Sequence, residues 1–273
     1  MAVAPVVYGE GERPPRGDYA RAGDDYTCAQ NWAAYTAQDH DTYHRLYQRQ
    51  TAQLQGLACS AFIEALPRLG AKECIPRFED VNDALYKATR WQIVAVPGLI
   101  PEEAFFALLA QRKFPVTDWI RKPEEFEYIV EPDVFHDLYG HVPMLFNAHI
   151  ADYMQNYGEG GLKAARLGSC EMLSRLYWYT IEFGLIREAG ALRAYGAGIL
   201  SSAGELPYAV NSPEPKRLPL ELLRTMRTRY KIDTYQRTYF VIDSFEQLFE
   251  MTAGDFTPLY AQMREMAEFA AGE

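Results

Sequence analysis

Four of the five histidines in this chain fall into two close pairs, His40 with His44 and His136 with His141. Imidazole is the commonest side-chain metal ligand, so these pairs are where chemistry would start. His40 and His44, four residues apart, share one face of a helix. Their surroundings, TAQDHDTYH, are polar throughout and contain no HExxH pattern, so the pair reads as a solvated helix face. His136 and His141, in EPDVFHDLYGHVP, are five apart. On an uninterrupted α-helix they would point about 140° apart. They converge only if the helix stops between them. Gly140 supplies a stop and Pro143 prevents resumption. The pattern reads as a pincer for a metal or, more plainly, as two histidines packing a helix end.

A pincer needs a third ligand. Glu182 lies in YWYTIEFGL, the most apolar stretch of the chain, where a carboxylate is costly unless it is paired or bound to a metal. Its alternative role is a salt bridge to a buried arginine such as Arg175 or Arg187. Two histidines and one carboxylate together suit non-haem iron(II) with positions left open for dioxygen and substrate. Two neutral imidazoles and one carboxylate around a divalent ion leave a net charge of about +1.

The elements that must position these groups are mostly helical. Apolar spacing predicts helices over Tyr26–Arg49, Thr51–Leu66 (closed by Pro67 and Gly70), Phe78–Lys87 and Glu102–Gln111. Asp133 opens a further helix through His136 to Tyr139. Others are expected over Leu145–Tyr157, Leu162–Gly168, Cys170–Ile186 and Leu220–Tyr230, then from Ser244 and over Met263–Phe269. Strands are expected at Trp91–Val96, Phe126–Val130 and Thr238–Ile242, with loop at Pro207 and over Asn211–Pro219. The fold class is mainly α with a few short β-strands (α+β). Residues 1–24, rich in Pro, Gly, Arg and Asp, read as a mobile or draped arm, and 25–273 as a single catalytic domain.

Composition excludes several alternatives. The 273 residues are 48% hydrophobic and 14% aromatic, with 19 tyrosines, so they can build a substantial core. A net charge of −10 and no basic stripe argue against a nucleic-acid partner. No apolar run is long enough for a membrane span, and no signal-peptide pattern opens the chain. The cysteines at 28, 59, 74 and 170 form no CxxC pair. A cytoplasmic protein with free thiols is the expectation.

EPDVFHDLYGHVPML, YWYTIEFGL and AYGAGILSSAGEL occur in that order. In these motifs, over roughly residues 26–248, the chain resembles the pterin-dependent aromatic amino acid hydroxylases and looks most like the bacterial phenylalanine 4-hydroxylases. The resemblance implies the catalytic-domain fold of that family, Fe(2+) and a tetrahydropterin (tetrahydrobiopterin or related) as cofactors, and O2 as co-substrate. It implies His136, His141 and Glu182 as iron ligands. VPGLIPEEAF matches the pterin segment: Gly98, Leu99 and Ile100 would line the pterin with backbone groups and Phe105 would stack on it. Asp137 stands where animal members carry Glu and would reach the pterin through water. Arg121 matches the arginine that grips the substrate carboxylate, a task suited to a planar guanidinium. Pro132 and Trp178 match walls of the amino acid pocket. Ser201 and Glu205 match polar residues near the iron that would orient a histidine or bound water, and Ser201 is also implied among the substrate-binding residues. Val241, apolar near the pocket, favours an unhydroxylated ring, so phenylalanine is the implied substrate. Tryptophan or tyrosine hydroxylation is the alternative within the family, and a zinc hydrolase the alternative outside it. The heptad run that tetramerises animal members has no counterpart, so a monomer with a small-molecule amino acid as its partner is implied.

Overall fold

Helices begin where the chain places its caps. In the computed structural model, which describes residues 16–273, helix α1 runs Ala37–Thr51. Thr36 and Asp39 close a capping box at its start: the Asp39 N–H donates to Thr36 Oγ1 (3.2 Å) and the Thr36 N–H to Asp39 Oδ2 (2.8 Å). The helix buries Tyr43, Leu46, Tyr47 and Gln50. Its onset is later than the Tyr26 expected, because Trp32–Ala34 forms only a 3-10 turn. The helix expected over Thr51–Leu66 shrinks to α2, Ser60–Ala65. A 3-10 turn, Leu66–Leu69, then ends at Gly70 in the left-handed conformation, as the Pro67–Gly70 signal predicts. Helix α3 is Phe78–Thr89.

Strand β1, Gln92–Val96, helix α4, Glu102–Ala110, and strand β2, Lys113–Thr117, form a parallel βαβ unit in register Gln92↔Lys113 through Val96↔Thr117. The strand expected at Phe126–Val130 is absent; one 3-10 turn, Pro123–Glu125, precedes irregular backbone there. The second strand is instead KFPVT. Its Pro115 disguised it, and is tolerated because β2 is an edge of a two-stranded sheet.

Helix α5 runs unbroken over Ala148–Arg166, where two helices were expected. Gly158, Gly160 and Gly161 suggest a break, since each costs a helix about 1 kcal/mol relative to Ala. Packing overrides that cost. A Cβ on Gly158 would collide with the Ala110 backbone of α4, and one on Gly161 with the Phe106 ring.

The stretch expected to be helical over Cys170–Ile186 changes conformation twice. Helix α6, Cys170–Tyr177, passes into a π-turn, Trp178–Glu182, and then into strand β3, Leu185–Glu188. After β3 come β4, Ala191–Ala194, α7, Ala197–Leu200, and α8, Glu205–Asn211. Pro207 sits in the first turn of α8, where its missing N–H removes no helical bond. The expected Asn211–Pro219 loop ends in strand β5, Lys216–Pro219, and the helix expected over Leu220–Tyr230 is reduced to α9, Leu222–Thr225. Strand β6 is Thr238–Ile242, as predicted, and Ser244 caps α10, Phe245–Thr252. The last helix, α11, occupies Thr257–Arg264, earlier than expected. The second sheet has order β4-β3-β6-β5.

The main core joins α1 to α11, from Tyr43 to Met263. A smaller cluster, Val96, Ile100 and Leu108, lies under the turn after β1. The anticipated arm lies outside the described residues over 1–15. Beyond them, residues 16–24 drape over that turn: the Tyr19 hydroxyl donates to Leu99 O (2.8 Å), and Arg21 Nη1 pairs with Asp118 (2.8 Å). All four cysteines are free thiols. Among the described residues no helix is long and apolar enough to cross a membrane.

Candidate metal centre

His136 and His141 do converge, by a route the sequence reading did not foresee. The helix does not stop at Gly140. It widens into a π-turn, His136–His141, that contains Gly140 and passes into a 3-10 turn, Val142–Phe146, with Pro143 in its first turn. An i→i+5 turn brings residue i+5 back over residue i, so a spacing that diverges on an α-helix becomes a pincer. Gly140 is required by packing: a Cβ there would stand 3.0 Å from both the Cβ and the carbonyl oxygen of Ala197 in α7. Glu182 ends the second π-turn, which the Phe183 N–H closes by donating to Trp178 O, five residues back (2.8 Å). π-turns of this kind gather at functional sites.

Among the described residues one cluster could hold a metal, His136, His141 and Glu182. His136 Nε2 lies 3.2 Å from His141 Nε2. Glu182 Oε1 is 3.0 Å from His141 Nε2, and Oε2 is 3.6 Å from His136 Nε2. Three donors each about 2.1 Å from one ion and at right angles to one another would lie about 3 Å apart. The set therefore fits a facially coordinated metal. Arg175, the alternative partner for Glu182, pairs with Glu171 (2.6 Å) and Glu268 (2.8 Å), and Arg187 is exposed.

Neighbouring groups fix the ligand state. Ser201 Oγ donates to Ala197 O (2.8 Å), so it accepts from His136 Nδ1–H (2.8 Å). That tautomer leaves the Nε2 lone pair facing the cluster. Burial depresses the His136 pKa to about 4, which keeps the ring neutral. Burial also acts to lower His141, but the adjacent Glu182 carboxylate outweighs it and raises that pKa. For Glu182, burial is opposed by His141 and His136, and the pKa falls below the ordinary range. His141 Nδ1 is buried without a partner.

Arg121 is buried beside Asp133 in a two-pronged pair: Nε to Oδ2 (2.8 Å) and Nη2 to Oδ1 (2.9 Å). Asp133 also accepts from the backbone N–H groups of Arg121 (2.9 Å) and His136 (3.0 Å). Burial would raise the Asp133 pKa, yet Arg121 holds it below the usual carboxylate range. One carboxylate thus ties the arginine to the start of the histidine turn. From the sequence alone, Asp133 is a helix opener. EPD followed three residues later by His was the available signal.

The remaining predicted residues have the following surroundings. Asp137 is buried and accepts from the Thr117 N–H at the end of β2 (2.7 Å); burial pushes its pKa up to about 7. Pro132 is half-buried beside Asp133. Gly98, Leu99 and Ile100 form the turn after β1, and the Phe105 ring meets Tyr177 edge-on at 5.7 Å. Trp178 opens the glutamate turn and stacks on Tyr230 at 4.2 Å. Val241, in β6, is buried. Glu205 makes no hydrogen bond to a ligand. It accepts from the Gln236 N–H (3.0 Å) and the Tyr239 hydroxyl (2.8 Å), and burial lifts its pKa to about 7. The His40–His44 pair departs from a purely solvated face: His40 packs 5.3 Å from the Trp32 ring, and His44 Nδ1 lies 2.9 Å from Lys72 O.

Comparison with known proteins defines the class first. Residues 14–257 match the model of the biopterin-dependent aromatic amino acid hydroxylases, and the chain belongs to that family. The phenylalanine-4-hydroxylase of Ralstonia nicotianae is 56% identical over 250 residues, covering 91% of this chain and 80% of that protein. The phenylalanine-4-hydroxylase of Chromobacterium violaceum is 54% identical over 250 residues, covering 91% of this chain and 84% of that protein. A crystal structure of the C. violaceum phenylalanine hydroxylase bound to cobalt superimposes with a TM-score of 0.91 at 53% identity, covering 93% of this chain and 92% of that one.

Proposed function

We propose that this chain is a phenylalanine 4-monooxygenase, converting L-phenylalanine to L-tyrosine with dioxygen and a tetrahydropterin at iron(II) held by His136, His141 and Glu182. The observation that carries the reading is the donor triangle, with separations of 3.0–3.6 Å and with Ser201 turning the His136 lone pair inward. The relatives named for phenylalanine supply the choice of ring. Iron(II), held by His136, His141 and Glu182, and a reduced pterin would together supply the electrons needed to activate dioxygen for hydroxylation of the ring.

The chain's own residues bind, orient and exclude water. Arg121 holds the substrate carboxylate with the donors that Asp133 leaves unoccupied, namely Nη1 and one Nη2 hydrogen. Trp178 and Pro132 wall the amino acid pocket, so the ring is held beside the ligand triangle and away from water. The backbone of Gly98, Leu99 and Ile100 lines the pterin, Phe105 packs against it, and Asp137 acts on it from the base of β2 through water. Glu205 acts indirectly, through the Gln236 loop it anchors. We further propose that residues 25–273 work as one catalytic unit, a monomer in the cytoplasm. Its net charge of −10 and four free thiols support that reading.

The test is turnover of protein loaded anaerobically with iron(II) and tetrahydropterin, then exposed to oxygen with phenylalanine, tyrosine or tryptophan. Tyrosine formed in step with pterin oxidation is the expected result. Hydroxylation of tryptophan or tyrosine in preference would correct the substrate. Metal binding with no product from any of the three would overturn the reading.

A further inference from the structure

Gln236 lies in the segment between α9 and β6, outside the motifs that carry the family resemblance, and is buried. Its side-chain Nε2 donates to Lys231 O (2.8 Å) and Thr234 O (3.2 Å). With both amide hydrogens held by carbonyls the group cannot flip, because reversal would set its oxygen against two acceptors. The Oε1 atom therefore faces the Trp178 indole and accepts from Nε1–H at 3.0 Å. The main-chain N–H of Gln236 donates to Glu205 Oε1, which Tyr239 also reaches. No other neutral side chain of this length offers one acceptor and two donors in that arrangement.

The indole at the other end needs that bond. Trp178 is stacked on Tyr230, with ring centroids 4.2 Å apart and planes inclined by 12°, and touches Phe183 at 4.6 Å. Stacking fixes the plane of an indole but leaves it free to slide and turn within that plane. The Nε1–H bond to Gln236 removes that freedom. A cavity of about 290 Å³, lined by Tyr179, Lys231, Thr234, Tyr235 and Arg237 among others, lies against the Gln236 loop, and the Gln236 bonds together with the Tyr208–Tyr235 ring contact at 5.3 Å hold it in place. Trp178 also begins the π-turn that ends in Glu182.

We propose that Gln236 is a positioning residue for substrate selection: it locks the Trp178 indole in one orientation and so sets the width of the amino acid pocket beside the metal ligands. The inference rests on the functional reading above, in which Trp178 is a wall of that pocket. Gln236 touches neither substrate nor metal. Its effect is confined to amino acid binding and to the choice between a one-ring and a two-ring side chain.

Gln236→Leu removes the acceptor. The amino acid KM should rise about tenfold, and the preference for phenylalanine over tryptophan should fall. The pterin KM, kcat and metal affinity should stay within about twofold of wild type. Gln236→Glu, whose second oxygen would face the Lys231 and Thr234 carbonyls, should lose selectivity much as Gln236→Leu does. In a Trp178→Phe background, which has no indole N–H, Gln236→Leu should cause no further change in KM. An unchanged KM and selectivity in Gln236→Leu, or an equal effect in both backgrounds, overturns the inference. If Gln236→Leu does not fold, hydrogen exchange of the Trp178 indole N–H in the wild-type protein decides, with the signal identified by its loss in Trp178→Phe. Slow exchange supports the bond, and exchange as fast as in an exposed indole overturns it. Wild-type protein that makes no tyrosine would sink the functional reading. Wild-type turnover with KM indifferent to Gln236 would sink this inference alone.

Discussion

The candidate metal centre is built from two π-turns, and they are held in different ways. The histidine turn is held by a polar lattice. Asp133 accepts from the His136 N–H and grips Arg121, Ser201 takes the His136 Nδ1–H, and Ala197 presses on Gly140. The glutamate turn is held by aromatic surfaces: Trp178 lies between Tyr230 and Phe183, Tyr179 meets Phe240 edge-on at 5.0 Å, and the Gln236 amide supplies one directional bond. Hydrogen bonds fix angles, which matters for two imidazoles whose lone pairs must converge. Stacking fixes planes and excludes water, which suits a turn proposed to wall the amino acid pocket. The two supports should therefore fail differently.

The largest difference is expected at Asp133. Asp133→Ala leaves Arg121 buried with no counter-charge and should cost about 3–5 kcal/mol of stability. Chemical denaturation measures it, and a loss below about 1 kcal/mol would show that the lattice carries little of the turn. Next comes Ser201→Ala. It should lower metal affinity about 10–100-fold with the fold intact. Metal titration checks this, and unchanged affinity would remove Ser201 from the support of His136.

The smallest effect belongs to the glutamate side, in the dependence of stability on pH. Glu205 has a folded pKa of about 7 against an ordinary 4.5, so between those values the folded chain holds a proton that the unfolded chain has lost. Stability from this group is thus complete below about 4.5 and declines as pH rises through about 7. Glu205→Gln should remove that decline, a difference of about 1–2 kcal/mol between pH 5 and 7.5. Parallel stability–pH curves for wild type and variant would show that Glu205 is ionised in the fold.

Legibility differed between the same two regions. Both histidines and Glu182 were nameable in advance, because a carboxylate in YWYTIEFGL and a histidine pair in EPDVFHDLYGHVP are out of place without a partner. The turns that join them were not. Residue types do not distinguish an α-helix from one widened by a single residue, so Gly140 looked like a terminator when it is a contact surface for Ala197. Gly158 and Gly161 misled in the same way, because their cause lies on α4, some fifty residues earlier in the chain. Pro115 hid β2, and the end of a supposed long helix hid β3.

The chemistry was local and therefore written in the sequence: which side chains could bind a metal, which segments cap a helix, and which composition builds a core with no basic or membrane-spanning stretch. Orientation was left to tertiary structure. His136 presents Nε2 inward because Ser201, 65 residues later, takes its other hydrogen. Arg121 is fixed because Asp133 reaches back to it. Trp178 faces one way because Gln236, 58 residues on, has its amide pinned by a loop of its own. A hydrogen bond's direction depends on where both partners sit, and only the folded chain brings partners so distant in sequence within 3 Å of each other.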